Sequence, residues 1–176
     1  MNRLHIGCGK VYLPGFTNVD IFSSVHADVY ADMAALPFDR GTFDLIYASH
    51  VLEHAHRHMV LATLSHWRDL LRDGGVLRLA VPNFEACAKY YTDTEDLGAI
   101  MGLLYGGQNH PKNHHFVIFD DTTLGAALIK VGFKGWNRWN WASTDHARYD
   151  DYSQAYLPKM DKENGRLMSL NIEATK

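Results

Sequence analysis

Cysteine is nearly absent from this 176-residue chain, which carries only Cys8 and Cys87. Two thiols in segments that read as folded interior cannot build a disulfide framework, and they point to a reducing, cytoplasmic setting. No apolar run approaches the roughly 20 residues that span a bilayer, and the first residues lack the apolar core and cleavage site of a signal peptide. A basic excess is missing too: 17 Lys and Arg stand against 20 Asp and Glu, for a formal net charge of −3. A general phosphate-binding surface carries the opposite sign, so nucleic acid is not favoured as a partner. Repeats, low-complexity tracts and linkers are also lacking. What remains is ordinary globular composition, 47% hydrophobic and 21% charged, in a length suited to a single domain over residues 1–176. The eleven histidines are the one compositional oddity.

Residues 4–6 form a short apolar strand that runs into the tight loop Gly7-Cys8-Gly9. Brief strands follow over 17–21 and 28–30, ending near Asp20 and Asp32. A turn at Leu36-Pro37-Phe38-Asp39-Arg40-Gly41 precedes a strand over 43–48. From about residue 53 to residue 71 the period changes. Val60, Leu64, Trp67 and Leu71, widened by Leu61 and Leu70, predict a helix with one buried face, stopped by Asp73-Gly74-Gly75. Residues 76–81 are a near-continuous apolar strand closed by Pro82, a pattern that suits a strand covered on both faces. Helices are expected over 84–91, within 93–107 before a glycine loop, and from a cap at Asp121-Thr122 to Gly132. Strands over 133–141 and 167–174 enclose a polar, tyrosine-bearing excursion at 143–165. The alternation predicts one open α/β sheet with helices on both faces.

In such a sheet, ligands bind beyond the carboxyl ends of the strands, where the strand order reverses. Gly7 and Gly9 follow the first strand, where glycine lets the backbone approach a ligand without side-chain obstruction. Taken alone, the two glycines read equally well as an ordinary turn. Asp20 ends the second strand, where a carboxylate can accept hydrogen bonds from both hydroxyls of a ribose. Asp32 ends the third; its carboxylate can accept from an adenine amino group while the Met33 N–H donates to the ring. Three consecutive strand ends carrying these groups in order make a nucleoside site the coherent reading.

Leu4-His5-Ile6-Gly7-Cys8-Gly9-Lys10, Asn18-Val19-Asp20, Ala31-Asp32-Met33 and the run Phe43-Asp44-Leu45-Ile46-Tyr47-Ala48-Ser49-His50-Val51-Leu52-Glu53-His54 resemble the class I S-adenosylmethionine-dependent methyltransferases. The resemblance is closest to a group of short, type 11-like members. It continues through Arg72-Asp73-Gly74-Gly75, Gly106-Gly107-Gln108 and His115-Phe116 to the final strand, and its most specific part spans residues 32–54. The resemblance implies a Rossmann-like sheet of about seven strands, mostly parallel with an antiparallel last strand. It implies S-adenosylmethionine as cofactor and S-adenosylhomocysteine as product. Gly7 and Gly9 would face the methionine portion, Asp20 the ribose, and Asp32 with Met33 the adenine; Ser49 and His50 would line the place where methyl group and acceptor meet. The chain departs from the pattern after Gly9, since Lys10 and Val11 replace the rest of the glycine loop. Ten residues between Gly9 and Asp20 are too few for a crossover helix plus a strand, so the first helix is expected to be shortened or lost. That shallow end suits either a large substrate reaching an open site or a homodimer.

The tract His54-Ala55-His56-Arg57-His58 invites a metal reading. Its spacing matches no usual structural ligand set and no cysteine pair accompanies it, so it reads as a helix start on a solvated face and no metal is expected. His110, His114 and His115 follow the Gly106-Gly107 loop, and His50 stands on the same edge of the sheet. Histidine titrates near neutrality, which makes His50 and His115 the candidate catalytic bases, with substrate binding or packing as the alternative. In-line positioning of donor and acceptor can suffice for methyl transfer. Trp136, Trp139 and Trp141 read as packing residues. Tyr149, Tyr152 and Tyr156 recur at helical spacing and predict a packed face or a contact surface. The sequence therefore supports a methyltransferase acting on a small-molecule, sugar or protein acceptor. The alternative is a non-catalytic module that keeps the fold to bind cofactor or a partner. A nicotinamide-dependent oxidoreductase fits poorly, because Gly-x-Gly-x-x-Gly and its following helix are absent.

Overall fold

The computed structural model describes residues 1–176. Four short parallel strands, β1 (Arg3–Ile6), β2 (Thr17–Asp20), β3 (Val29–Tyr30) and β4 (Phe43–Ser49), are followed by helix α1 (Val60–Leu70) and the long strand β5 (Leu71–Pro82). Then come α2 (Phe84–Thr94), α3 (Leu97–Tyr105), α4 (Asp121–Lys130), β6 (Trp136–Arg138), a small hairpin of β7 (Tyr156–Leu157) and β8 (Arg166–Leu167), and β9 (Ser169–Thr175). The main sheet has seven strands in the order β3-β2-β1-β4-β5-β9-β6. Strands β1 to β5 run parallel, while β9 is antiparallel to both neighbours. The strand order reverses between β1 and β4, which puts the switch point at the end of β1.

One sheet face carries Leu4, Ile6, Ile46, Leu77, Leu79 and Ile172, all buried against Leu64 and Trp67 of α1 and Leu124 and Leu128 of α4. The opposite face, with Leu45 and Tyr47, is covered by Leu13 and Phe16 from the first loop and by Trp139 and Tyr149. No helix follows β1. Asn18, fully buried, substitutes for one by satisfying the loop backbone: its Oδ1 accepts from Leu13 N at 2.9 Å and its Nδ2 donates to Leu13 O and Phe16 O, each at 3.0 Å. His5 completes this hub at 3.0 Å from Asn18 Oδ1. No helix is long and apolar enough to cross a membrane. Cys8 and Cys87 are both buried and free.

Several local expectations are corrected. The helix expected from residue 53 begins at Val60, and Leu52–His54 is instead a single 3-10 turn. A helix running back to residue 53 would put His56 and Arg57 in phase with Val60 and Leu64 on the buried stripe; the break leaves both exposed. Gly74 and Gly75 do not stop α1, which ends at Leu70. Leu71 already pairs with Phe43, residues 72–75 bulge out of β5, and Gly74 takes a φ of +76° in that bulge. The cap of α4 is Asp120, in a reciprocal capping box with Thr123, one residue before the expected position. The late tyrosines form no helix. Tyr152 sits in a 3-10 turn with its ring exposed, and the segment instead buries His146, Ser153 and Gln154.

Candidate functional site

Strand ends β1, β2 and β3 stand side by side, so Gly7-Cys8-Gly9, Asp20 and Asp32 share one edge of the sheet. Gly7 and Gly9 have φ of +66° and +52°, conformations that disfavour any side chain. The two glycines differ in surroundings. A Cβ on Gly7 would lie 2.3 Å from Val51 Cγ2, whereas a Cβ on Gly9 would meet nothing within 4 Å. Gly7 is therefore needed for packing against the residue beneath it, and Gly9 presents bare backbone to open space.

Asp20 is buried and binds the loop from below: its Oδ2 accepts from Gly9 N at 2.8 Å and its Oδ1 from Phe22 N at 2.9 Å. A carboxylate has about four acceptor directions, so each oxygen keeps one for a further donor. Asp32 is exposed; its Oδ1 accepts from Ala34 N at 2.9 Å and holds a short turn. Helix α1 braces that turn twice, through Trp67 Nε1 donating to Met33 O at 2.8 Å and through His66 Nε2 accepting from Leu36 N at 3.0 Å. The Met33 N–H has no partner within the protein.

At the end of β4, one residue beyond the Ile6–Ala48 pair, the Ser49 hydroxyl is buried without a hydrogen-bond partner. His50 follows in a left-handed conformation, φ +54°, which turns its ring under the sheet edge. There its Nε2 is 3.2 Å from Ser169 Oγ and its Nδ1 3.3 Å from Glu53 Oε1. Both ring nitrogens of His50 thus face protein groups and not open space. Burial, with the neighbouring His115 and His54, pushes its pKa down to about 3. Glu53 is fully buried; burial pushes its carboxyl up to about 8, and neither oxygen has a hydrogen-bond partner.

The loop after α3 closes on this corner. His115 N donates to Tyr105 O and Phe116 N to Glu53 O. His115 Nδ1 lies 2.9 Å from Leu103 O, its Nε2 4.0 Å from Glu53 Oε1, and burial pushes its pKa down to about 4. The loop also reaches the end of β2, since His110 packs edge-on against Phe22, two residues past Asp20, at 5.0 Å between centroids. Gln108, Asn109, His110, Pro111, His114 and Phe116 line a cleft of about 540 Å³.

The structure therefore gathers the expected residues into two groups along one edge. Gly7, Gly9, Asp20, Asp32 and Met33 lie at β1 to β3; Ser49, His50 and His115 lie at β4 and the loop. His56 and His58 stay outside, whereas His54 turns inward, its Nδ1 3.0 Å from His114 O. Glu53 was missed as a site residue. Its signal was a carboxylate at i+3 from His50, just after the apolar pair Val51-Leu52, a spacing that one turn brings together. Val51, Trp67 and Ser169 also escaped, since each acts through a contact distant in sequence.

A model of the methyltransferase-domain family matches residues 6–137. In fold, the chain is similar to a SAM-dependent methyltransferase from Archaeoglobus fulgidus, with 16% identity and a TM-score of 0.59 over 99% of this chain and 86% of that one. It is also similar to a Haloferax volcanii putative methyltransferase in complex with the Trm112 methyltransferase activator, at 13% identity and TM-score 0.61 over 99% and 81%. A third likeness is to Burkholderia thailandensis 1,6-didemethyltoxoflavin-N1-methyltransferase, bound to 1,6-didemethyltoxoflavin and S-adenosylhomocysteine, at 14% identity and TM-score 0.57 over 99% and 70%. No curated protein matches the sequence.

Proposed function

This chain belongs to the methyltransferase-domain family, and from that premise we propose that it transfers the methyl group of S-adenosylmethionine to an acceptor. The observation that carries the proposal is the row of unspent hydrogen-bonding capacity at three neighbouring strand ends. Gly9 opens onto space free of protein atoms, Asp20 keeps acceptor directions on both oxygens, and Met33 offers an unpaired N–H. These residues fit the cofactor. Gly7 and Gly9 take its methionine portion against bare backbone, Asp20 accepts from the ribose hydroxyls, and Asp32 with Met33 holds the adenine. When bound, S-adenosylmethionine supplies an electrophilic methyl group on a sulfonium. Ser49, His50 and His115 bound the acceptor side. His50, buried with both ring nitrogens facing protein groups, positions its surroundings and removes no proton. In-line orientation then supplies most of the rate enhancement.

The acceptor is a small molecule, a sugar or a protein side chain, and the setting is cytoplasmic, where the buried thiols Cys8 and Cys87 stay reduced. Calorimetric titration with S-adenosylmethionine and S-adenosylhomocysteine tests the proposal on the wild type, Asp20→Ala and Asp32→Ala. Saturable binding is expected. Asp20→Ala should weaken it about 100-fold or more, since two hydrogen bonds to a charged group contribute about 1.5–3 kcal/mol each. A folded wild-type protein that binds neither compound at millimolar concentration would overturn the enzyme and leave a partner-binding module on this fold.

A further inference from the structure

The turn Leu52–His54 and the loop 106–116 bring the buried carboxyl of Glu53 beside the rings of His54 and His115. His54 Nδ1 faces the carbonyl of His114 at 3.0 Å, and His115 Nδ1 faces that of Leu103 at 2.9 Å. A carbonyl only accepts, so each Nδ1 carries its hydrogen and each Nε2 presents a lone pair. His50 holds the opposite tautomer. Asn171 Nδ2 donates to Ser153 O, so Asn171 Oδ1 takes the hydroxyl hydrogen of Ser169 at 2.9 Å. Ser169 Oγ is left to accept from His50 Nε2, and the lone pair of His50 Nδ1 points at Glu53 Oε1, 3.3 Å away. Glu53 is fully buried, and neither of its oxygens has a hydrogen-bond partner.

We propose that Glu53, His54 and His115 form a binding site for a divalent transition-metal ion. Their ligand atoms lie within 4.8 Å of one another. Bonds of about 2.1 Å in a tetrahedral site would bring them to about 3.4 Å, a contraction of at most about 1.4 Å that side-chain rotations supply. Backbone carbonyls fix both imidazoles in the tautomer a metal needs, which is the usual outer-shell arrangement of metal-ligating histidine. Two imidazoles and one carboxylate suit zinc, cobalt or iron better than calcium or magnesium. His54 is half-buried, which leaves the ion access to the site. The ion would sit on the acceptor side. Resting on the methyl-transfer reading above, its open positions would favour an acceptor that offers an oxygen ligand.

Titration with zinc, and with cobalt read by its visible absorption, tests the site on protein dialysed against chelator and carrying no polyhistidine tag. One ion per chain is expected. Affinity should fall about 10- to 100-fold or more in His54→Ala, His115→Ala and the isosteric Glu53→Gln, and stay unchanged in the double variant His56→Ala/His58→Ala. Circular dichroism of Glu53→Gln separates lost ligation from lost folding. Absence of stoichiometric binding by the folded wild type would overturn the inference. So would binding that survives in Glu53→Gln and disappears in the His56/His58 variant, which marks capture by surface histidines. Titration with S-adenosylhomocysteine, run with and without zinc, keeps the two readings apart. Nucleoside binding without ion binding overturns the metal site alone; ion binding without nucleoside binding overturns methyl transfer and leaves the metal site standing.

Discussion

Gly7 and Gly9 have nearly the same backbone conformation and opposite surroundings, so alanine at each should separate packing from ligand binding. Both substitutions put an L side chain in the left-handed region, at φ of +66° and +52°. That costs about 1–2 kcal/mol, partly offset by about 0.4–1 kcal/mol from the stiffer unfolded chain. Gly9→Ala incurs nothing more, since its Cβ meets no protein atom within 4 Å. Gly7→Ala drives its Cβ to 2.3 Å from Val51 Cγ2, with Cγ1 and Cβ at 3.3 and 3.4 Å. Val51 is only 8% exposed, so overpacking adds about 1–3 kcal/mol. The net losses are about 0–1.6 kcal/mol for Gly9→Ala and about 1–4.6 kcal/mol, centred near 3, for Gly7→Ala. In Tm, at about 2–4 °C per kcal/mol for a chain of this size, the second loss is roughly 5–15 °C. Urea denaturation and thermal melting read both. Adding Val51→Ala to Gly7→Ala should recover the overpacking part as a coupling of about 1–3 kcal/mol in the double-mutant cycle. Binding of S-adenosylhomocysteine should depend on position the other way. Gly9→Ala loses about 10- to 100-fold in affinity despite near-normal stability, because its methyl occupies the space assigned to the ligand. Equal stability losses at the two positions, or no coupling to Val51, would refute the steric reasoning. Unchanged affinity in Gly9→Ala would refute the placement of the cofactor.

Two further expectations concern the face of the sheet that lacks a helix. Asn18→Ala strands the Leu13 N–H, the Leu13 and Phe16 carbonyls and a His5 ring nitrogen at a fully buried position. Unfolding free energy should fall by about 3–5 kcal/mol, and a loss below about 1 kcal/mol would show that the loop does not depend on this hub. Burial, with Arg78 adding to it, pushes the pKa of His146 down to about 4 from 6.5, while Asp151 and Asp145 pull the other way. The unfolded chain therefore takes up a proton that the folded one refuses. The contribution is intact above pH 6.5 and erodes as pH falls toward 4, by about 1.4 kcal/mol per unit. His146→Phe should remove one proton's worth of that slope in urea midpoints measured from pH 7 to pH 4.5, and parallel profiles for the two proteins would exclude His146 as the source.

Local signals in the sequence determined the scaffold and half of the candidate site. Alternation and apolar runs mark the five parallel strands, because a buried strand needs apolar side chains along its own length. The glycines of the first loop and the carboxylates at Asp20 and Asp32 are legible for a similar reason: the demands on them, positive φ and a place at a strand end, are made within a few residues. Tertiary structure decided the rest. Where α1 begins depended on which residues could face the sheet, and the glycines at 74–75 became a bulge because Leu71 had already paired with Phe43. The corner at the end of β4 shows the same limit most plainly. Glu53 and His54 meet His115 only because the loop after α3 returns to the end of β4, donating from Phe116 N to Glu53 O. A period of two or 3.6 residues describes what one element buries. It carries no record of a partner about sixty positions away, which the sheet order and the closure of a loop bring into contact.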